Sequence, residues 1–141
     1  MISNSRIATI LRVDAALCFI CGLPGLLAPA WLAEFLLPGQ HSVLGLPTAT
    51  VLWELGILLV AYAGLLLLAA AKRGLDRPVL TISAVADAGW VIGTVALLAL
   101  FPGSFSGWGI VALAVVAVDT GLIGLWKLGH LRRATGQAQP A

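Results

Sequence analysis

The sequence predicts an all-α integral membrane protein in which four transmembrane helices form an up-down bundle. Of the 141 residues, 60% are hydrophobic and only 10% are charged, whereas an ordinary soluble domain carries about 25% charged residues. The apolar residues form four stretches, at about 7–28, 49–71, 79–101 and 108–128. Each is close to the roughly 20 residues that a helix needs to cross a bilayer. Because no water satisfies the backbone there, each stretch must be helical.

The helix boundaries and the domain organisation follow from local signals. Arg77-Pro78 precedes the third span, and Pro102-Gly103 follows it, since Pro does not continue a helix and Gly accepts the reversed backbone. We predict one transmembrane domain over residues 1–133. Residues 134–141 are predicted to form a short, polar, disordered cytoplasmic tail.

The basic residues predict the orientation. All eight Lys and Arg residues fall on one side of the four spans, so the positive-inside rule places both termini in the cytoplasm and the chain in an inner or plasma membrane. Ala28-Pro29-Ala30, after the first apolar run, resembles a signal-peptide cleavage site. Asp14 within that run argues against cleavage, and we expect the span to be retained. The basic residues are Arg6, Arg12, Lys72, Arg73, Arg77, Lys127, Arg132 and Arg133.

The first outer loop contains a short amphipathic segment. Residues 29–39 are rich in large apolar side chains and are bracketed by Pro29 and Pro38. We predict a short helix lying in the outer interface, where amphipathic helices bind membranes.

A two-hairpin repeat is a further interpretation of the sequence. Asp14 and Asp87 are each followed by Ala, and the same offset aligns a Pro at the end of each span. Glu54 and Asp119 share an acid-x-Gly pattern at a different offset. Both hairpins begin on the cytoplasmic side, as in parallel repeats. Coincidence in a composition so rich in Ala, Leu and Gly explains the matches equally well.

Each apolar stretch contains one carboxylate: Asp14, Glu54, Asp87 or Asp119. An ionised side chain in the bilayer costs at least about 2.5–3.5 kcal/mol. At about 1.5 Å of rise per residue, Asp14, Asp87 and Asp119 lie roughly 10–12 Å from the cytoplasmic boundary, with Tyr62 at nearly the same level. Glu54 lies near the outer end of its helix. These depths predict one polar layer, pointing into the bundle, to which every helix contributes.

This layer is the candidate site for binding a proton, a cation or a substrate. Like charges at short range in a low dielectric do not all ionise, so the carboxyls should titrate as a coupled set. Glu54 would be a further binding residue for the same proton or cation, nearer the outer end of the bundle. Arg12 is a pairing candidate because it is long enough to reach down to an acid, although it does not share a helix face with Asp14. The alternative is that the acids only hold helices together through hydrogen bonds.

Other motifs suggest little additional chemistry. Cys18 and Cys21 have a C-x-x-C spacing that resembles the thiol pair of quinone-linked membrane thiol oxidases, but those enzymes use a second pair, and the sequence has no other cysteine. No cofactor or metal is predicted. Both histidines lie outside the spans, so a bis-His haem site cannot form within the bundle, whereas a carboxylate-rich site for a hard cation stays open because such cations accept oxygen ligands alone. Gly89 and Gly93 form a G-x-x-x-G motif that favours close helix packing, within the chain or in a homodimer.

Three functions remain open at this stage. The first is a proton- or cation-coupled transporter of a small solute or amphiphile. The second is an accessory subunit of a larger membrane complex, consistent with the near absence of extramembrane residues. The third is a membrane-embedded acid–base enzyme, an isomerase or cyclase acting on a lipid-soluble substrate. The partner common to all three is the lipid bilayer, and nucleic acid is not expected because no basic patch lies outside the membrane-flanking clusters.

Overall fold

The structure, a computed structural model, describes residues 2–43, 45–72 and 76–136. Within these residues the elements are, in chain order, α1 (Ile2–Leu27), α2 (Pro29–Leu36), β1 (Ser42–Val43), β2 (Leu46–Pro47), α3 (Thr48–Ala71), α4 (Asp76–Leu100) and α5 (Gly107–Gly136). Helices α1, α3, α4 and α5 are long and apolar enough to cross a membrane. The four predicted spans are therefore confirmed as helices.

Three helix ends differ from the sequence prediction by more than one residue. Helix α1 begins at Ile2, five residues before the predicted start of the first span at 7. Helix α4 begins at Asp76, with Pro78 in its first turn, where the missing N–H of Pro costs no helical hydrogen bond. Helix α5 continues past the predicted end at 128 to Gly136. The first three residues of the predicted disordered tail, 134–136, are therefore helical. Residues 137–141 lie outside the described part of the chain.

Helices α1 and α3 form a closely packed pair because glycines face each other between them. A Cβ atom on Gly25 would lie 2.7 Å from the carbonyl oxygen of Leu52, and one on Gly56 would lie 2.7 Å from the backbone nitrogen of Leu26. The two backbones are thus in direct contact, as small residues allow between membrane helices. Helices α4 and α5 form the second pair.

Ser106 joins α2 to the start of α5. Its hydroxyl donates to the carbonyl of Phe35 at 2.5 Å and accepts from the backbone N–H of Gly109 at 2.7 Å. Its own N–H donates to the carbonyl of Leu36 at 2.9 Å. Ser106 therefore caps α5, as Ser commonly does at a helix N-terminus, and fixes α2 against it.

The segment after α2 folds into a small antiparallel hairpin that the sequence analysis did not predict. Strands β1 and β2 pair Ser42 with Pro47 and Val43 with Leu46. Gly45, in the connecting turn, has a φ of 81°, which glycine adopts without steric cost. The predicted short helix is confirmed as α2, although it ends at Leu36 and residues 37–39 lie outside it.

A buried apolar cluster lies where the first half of α1 meets the second half of α3 and the start of α4. Leu131 of α5 packs against it. We call this part of the bundle, from which Arg6, Arg12 and Lys72 extend, the basic end. The outward faces of the long helices remain apolar and exposed, as at Ile92 and Leu100, which fits a lipid environment. The cluster consists of Ile10, Leu11, Ala15, Ala63, Leu66, Ala69 and Leu80.

Candidate functional site

Three ionisable side chains from three different helices meet beside this cluster. The Nζ atom of Lys127 on α5 donates to Oδ2 of Asp14 on α1 at 2.5 Å and to Oδ2 of Asp87 on α4 at 2.6 Å. Lys127 is 0% exposed, and each aspartate is 5% exposed. We call Asp14, Asp87 and Lys127 the triad. It joins the α1–α3 pair to the α4–α5 pair.

The triad contains two acids and only one base. With all three groups ionised it would carry one excess negative charge in a buried setting, and an uncompensated buried charge is strongly unfavourable. One proton shared by the two carboxyls, or one bound monovalent cation, makes the group neutral. With all three groups ionised, the triad therefore lacks one positive charge for neutrality.

The local sequence of α5 allows Asp87 to approach Lys127. A Cβ atom added to Gly124, one turn before Lys127, would lie 3.3 Å from Cβ of Asp87. Gly124 thus leaves the space in which Asp87 packs against α5. Because α5 continues for nine residues beyond Lys127, the lysine lies about 14 Å inside the end of its helix.

Lys127 is the site residue that the sequence analysis missed, because it was assigned to the charged boundary of the fourth span. Arg132 and Arg133 follow within two turns and mark that boundary better. A lysine one to two turns inside the last basic pair, in a bundle with more acids than interior bases, is the signal that could have identified it.

Of the site residues predicted from the sequence, two belong to the triad and three others are exposed. Asp14 and Asp87 come together as expected. The expectation that Asp119 joins them is wrong, since Asp119 is exposed. It precedes Lys127 by eight residues, which places it about 80° around the helix from the lysine. Arg12 is also exposed and does not take the pairing role, which belongs to Lys127. Glu54 is exposed as well.

A cavity of about 270 Å³ lies next to the triad, between the two helix pairs. Asp14, Asp87 and Tyr62 line it, together with Trp90 and Cys18. The Cys18 thiol donates to Oδ1 of Asp14 at 3.8 Å. The Trp90 indole N–H is buried and has no hydrogen-bond partner among the described residues. The Tyr62 hydroxyl is also buried, and Ser83 is the side chain near enough to share a hydrogen bond with it. Tyr62 therefore belongs to the candidate site, since it lines the same cavity as the two aspartates.

A second, larger space of about 650 Å³ lies between α4 and α5 and opens at the surface of the bundle. We call it the α4–α5 groove. Asp87 lines both this groove and the cavity of about 270 Å³ next to the triad. Asp87 therefore lies between the interior of the bundle and the outward face of the α4–α5 pair.

The other sequence motifs remain separate from the triad or add little to it. Cys18 and Cys21 are free thiols. Gly89 and Gly93 have open space where a side chain would be, so they do not pack against another helix of this chain. Among the described residues, no group of three or more His, Cys, Asp and Glu side chains could hold a metal ion.

Comparison with protein-family models, curated proteins and solved structures finds no match. The class of protein is therefore defined by the fold and the site alone. It is a small multi-pass helical protein whose four long apolar helices fit a membrane. Its distinctive feature is the buried triad of two acids and one base.

Proposed function

We propose that this protein is a proton-coupled membrane transporter of a small solute or amphiphile, and that the triad carries the proton. The observation behind the proposal is the excess acid of a buried site that adjoins a cavity. In this proposal the chain lies in an inner or plasma membrane with both termini in the cytoplasm, because the basic residues lie at one end of the spans.

The position of the triad suggests how its charge would be linked to movement. Asp14 belongs to the α1–α3 pair, whereas Asp87 and Lys127 belong to the α4–α5 pair. A proton bound to the triad would weaken the attraction between Asp14 and Lys127 across the boundary between the pairs, and loss of the proton would restore it. A proton would therefore bias the equilibrium between a closed and a more open arrangement of the two pairs, as coupling requires.

A pH jump on proteoliposomes adsorbed to a solid-supported membrane tests the proposal without knowledge of the substrate. A step from alkaline to acidic solution should give a transient current as protons enter the triad. We expect this transient to be lost in Asp87→Asn, which leaves one acid paired with one base and no site for an extra proton. A sodium jump at constant pH shows whether a monovalent cation replaces the proton.

Asp119→Asn is the matched control, since it removes an exposed carboxyl from the same membrane region. Its transient should equal that of the unmodified protein. A transient that persists in Asp87→Asn, or that disappears in Asp119→Asn alone, would contradict the proposal.

A membrane-embedded acid–base enzyme is the second candidate function. One observation favours it: Tyr62, Asp14 and Asp87 line the same cavity, which brings a phenol and two carboxyls, all of them groups used in acid–base catalysis, to one site. Conversion of an isoprenoid or sterol-like lipid that depends on Asp87 would identify this function, whereas a transporter would leave the lipid unchanged.

A further inference from the structure

We infer that the α4–α5 groove binds the tail of a cationic amphiphile whose ammonium group pairs with Asp87. This rests on the proposed function, since it names the substrate class of the triad and the direction of access. The ligand would reach the site sideways from the lipid, through the open face between α4 and α5.

The shape of the groove suits a hydrocarbon tail. On α4 its lining extends from Ala84 to Leu98, about 21 Å along the helix. On α5 the lining includes Ala114, Ala117 and Gly121, whose small side chains make the groove deep. Apolar side chains form almost all of its wall, so burial of a tail is favourable.

The carboxyl of Asp87, near the Ala84 end of the groove, determines which head group is bound. Among the described residues, Asp87 is the one ionisable residue that lines the groove. Its ion pair with Lys127 uses Oδ2, and the triad carries one excess negative charge when its proton is absent. An ammonium group would replace that proton and restore neutrality. An anionic head group would meet like charge, and a neutral one would leave the excess charge uncompensated.

Photo-crosslinking with three probes of the same tail tests this inference. The probes carry a diazirine in the tail and end in an ammonium, an alcohol or a sulfate, and the protein is held in phosphatidylcholine nanodiscs. The ammonium probe should label groove residues such as Val91 and Val95, about tenfold more efficiently than the alcohol at limiting concentration, given the strength of hydrogen bonds to charged groups. The sulfate probe should label least.

Two variants separate the parts of the site. Asp87→Asn should remove the preference for the ammonium probe, whereas Asp119→Asn should retain it. Gly121→Leu, which fills the groove without touching the triad, should reduce labelling by the ammonium and alcohol probes alike. Equal labelling by all three probes of the unmodified protein, or labelling that peaks outside the groove, would overturn the inference.

The outcome is distinguishable from that of the pH-jump experiment. Charge-selective labelling without a proton transient would establish the ligand site and reject the triad as a proton carrier. A proton transient without charge-selective labelling would support the proposed function and reject a cationic amphiphile as its substrate.

Discussion

Replacement of Lys127 by Met is expected to destabilise the folded protein by about 3–5 kcal/mol, because it leaves two buried carboxyls without their common partner. Met has a similar length and apolar character, so the packing of the lysine stem is largely preserved. The free energy of unfolding can be measured by circular dichroism during titration of mixed micelles with sodium dodecyl sulfate.

Two further variants show whether the loss comes from the triad. Lys72→Met removes an exposed lysine and should change the free energy of unfolding by less than about 1 kcal/mol. Combining Lys127→Met with Asp14→Asn and Asp87→Asn should recover most of the stability, since no charge then remains unpaired. If Lys127→Met were as stable as Lys72→Met, the triad would not hold the helices together.

The second large effect is expected at the contact between α1 and α3. Gly56→Ala should destabilise the fold by about 1–3 kcal/mol, or more if the helices cannot separate. The added Cβ would lie 2.7 Å from the nitrogen of Leu26 and 2.9 Å from the carbonyl oxygen of Gly22. Because these are backbone atoms, a side-chain rotation cannot relieve the clash. The same unfolding titration measures the loss.

Gly64→Ala is the matched control on the same helix. A Cβ atom there would meet nothing within 4 Å, so the change should be neutral or stabilising by up to about 1 kcal/mol. Similar losses at Gly56 and Gly64 would show that helix α3 tolerates no added methyl anywhere, and that close packing against α1 is not the cause.

The sequence predicted the elements of the bundle because the constraint on them is simple. Backbone groups that have no water to bind must form helices of membrane-spanning length. Pro78 and Pro102 mark the two ends of the third span. The sequence also predicted that Asp14 and Asp87 face inward, since lipid-facing positions rarely hold an acid.

The same reasoning could not predict which side of α5 faces the interior of the bundle. Depth along the helix placed Asp119 in the polar layer, but rotation around the helix decides the contact, and α5 turns Lys127 inward and Asp119 outward. The length of α5 was a second obstacle, since a helix that ended near 128 would place Lys127 at the boundary. The α4–α5 groove depends on the spacing between two helices, which a single sequence does not specify.

The proposed two-hairpin repeat remains a prediction, but the two aspartates that it aligns are both members of the triad. Asp14 and Asp87, the aligned pair, contact the same lysine nitrogen. The offset that aligns Glu54 with Asp119 also aligns Tyr62 with Lys127. If the halves are related, Tyr62 and Lys127 occupy equivalent positions. The first half then carries a phenol there and the second half an ammonium group, and only the ammonium group neutralises the two acids.

The most direct test of the central claim, that the triad holds one exchangeable proton, is infrared spectroscopy of the protein in lipid across a pH titration. We expect a C=O stretching band of a protonated carboxyl that disappears on going to alkaline pH, is absent in Asp87→Asn and persists in Asp119→Asn. A band that does not change with pH, or one that is unaffected by Asp87→Asn, would contradict the central claim.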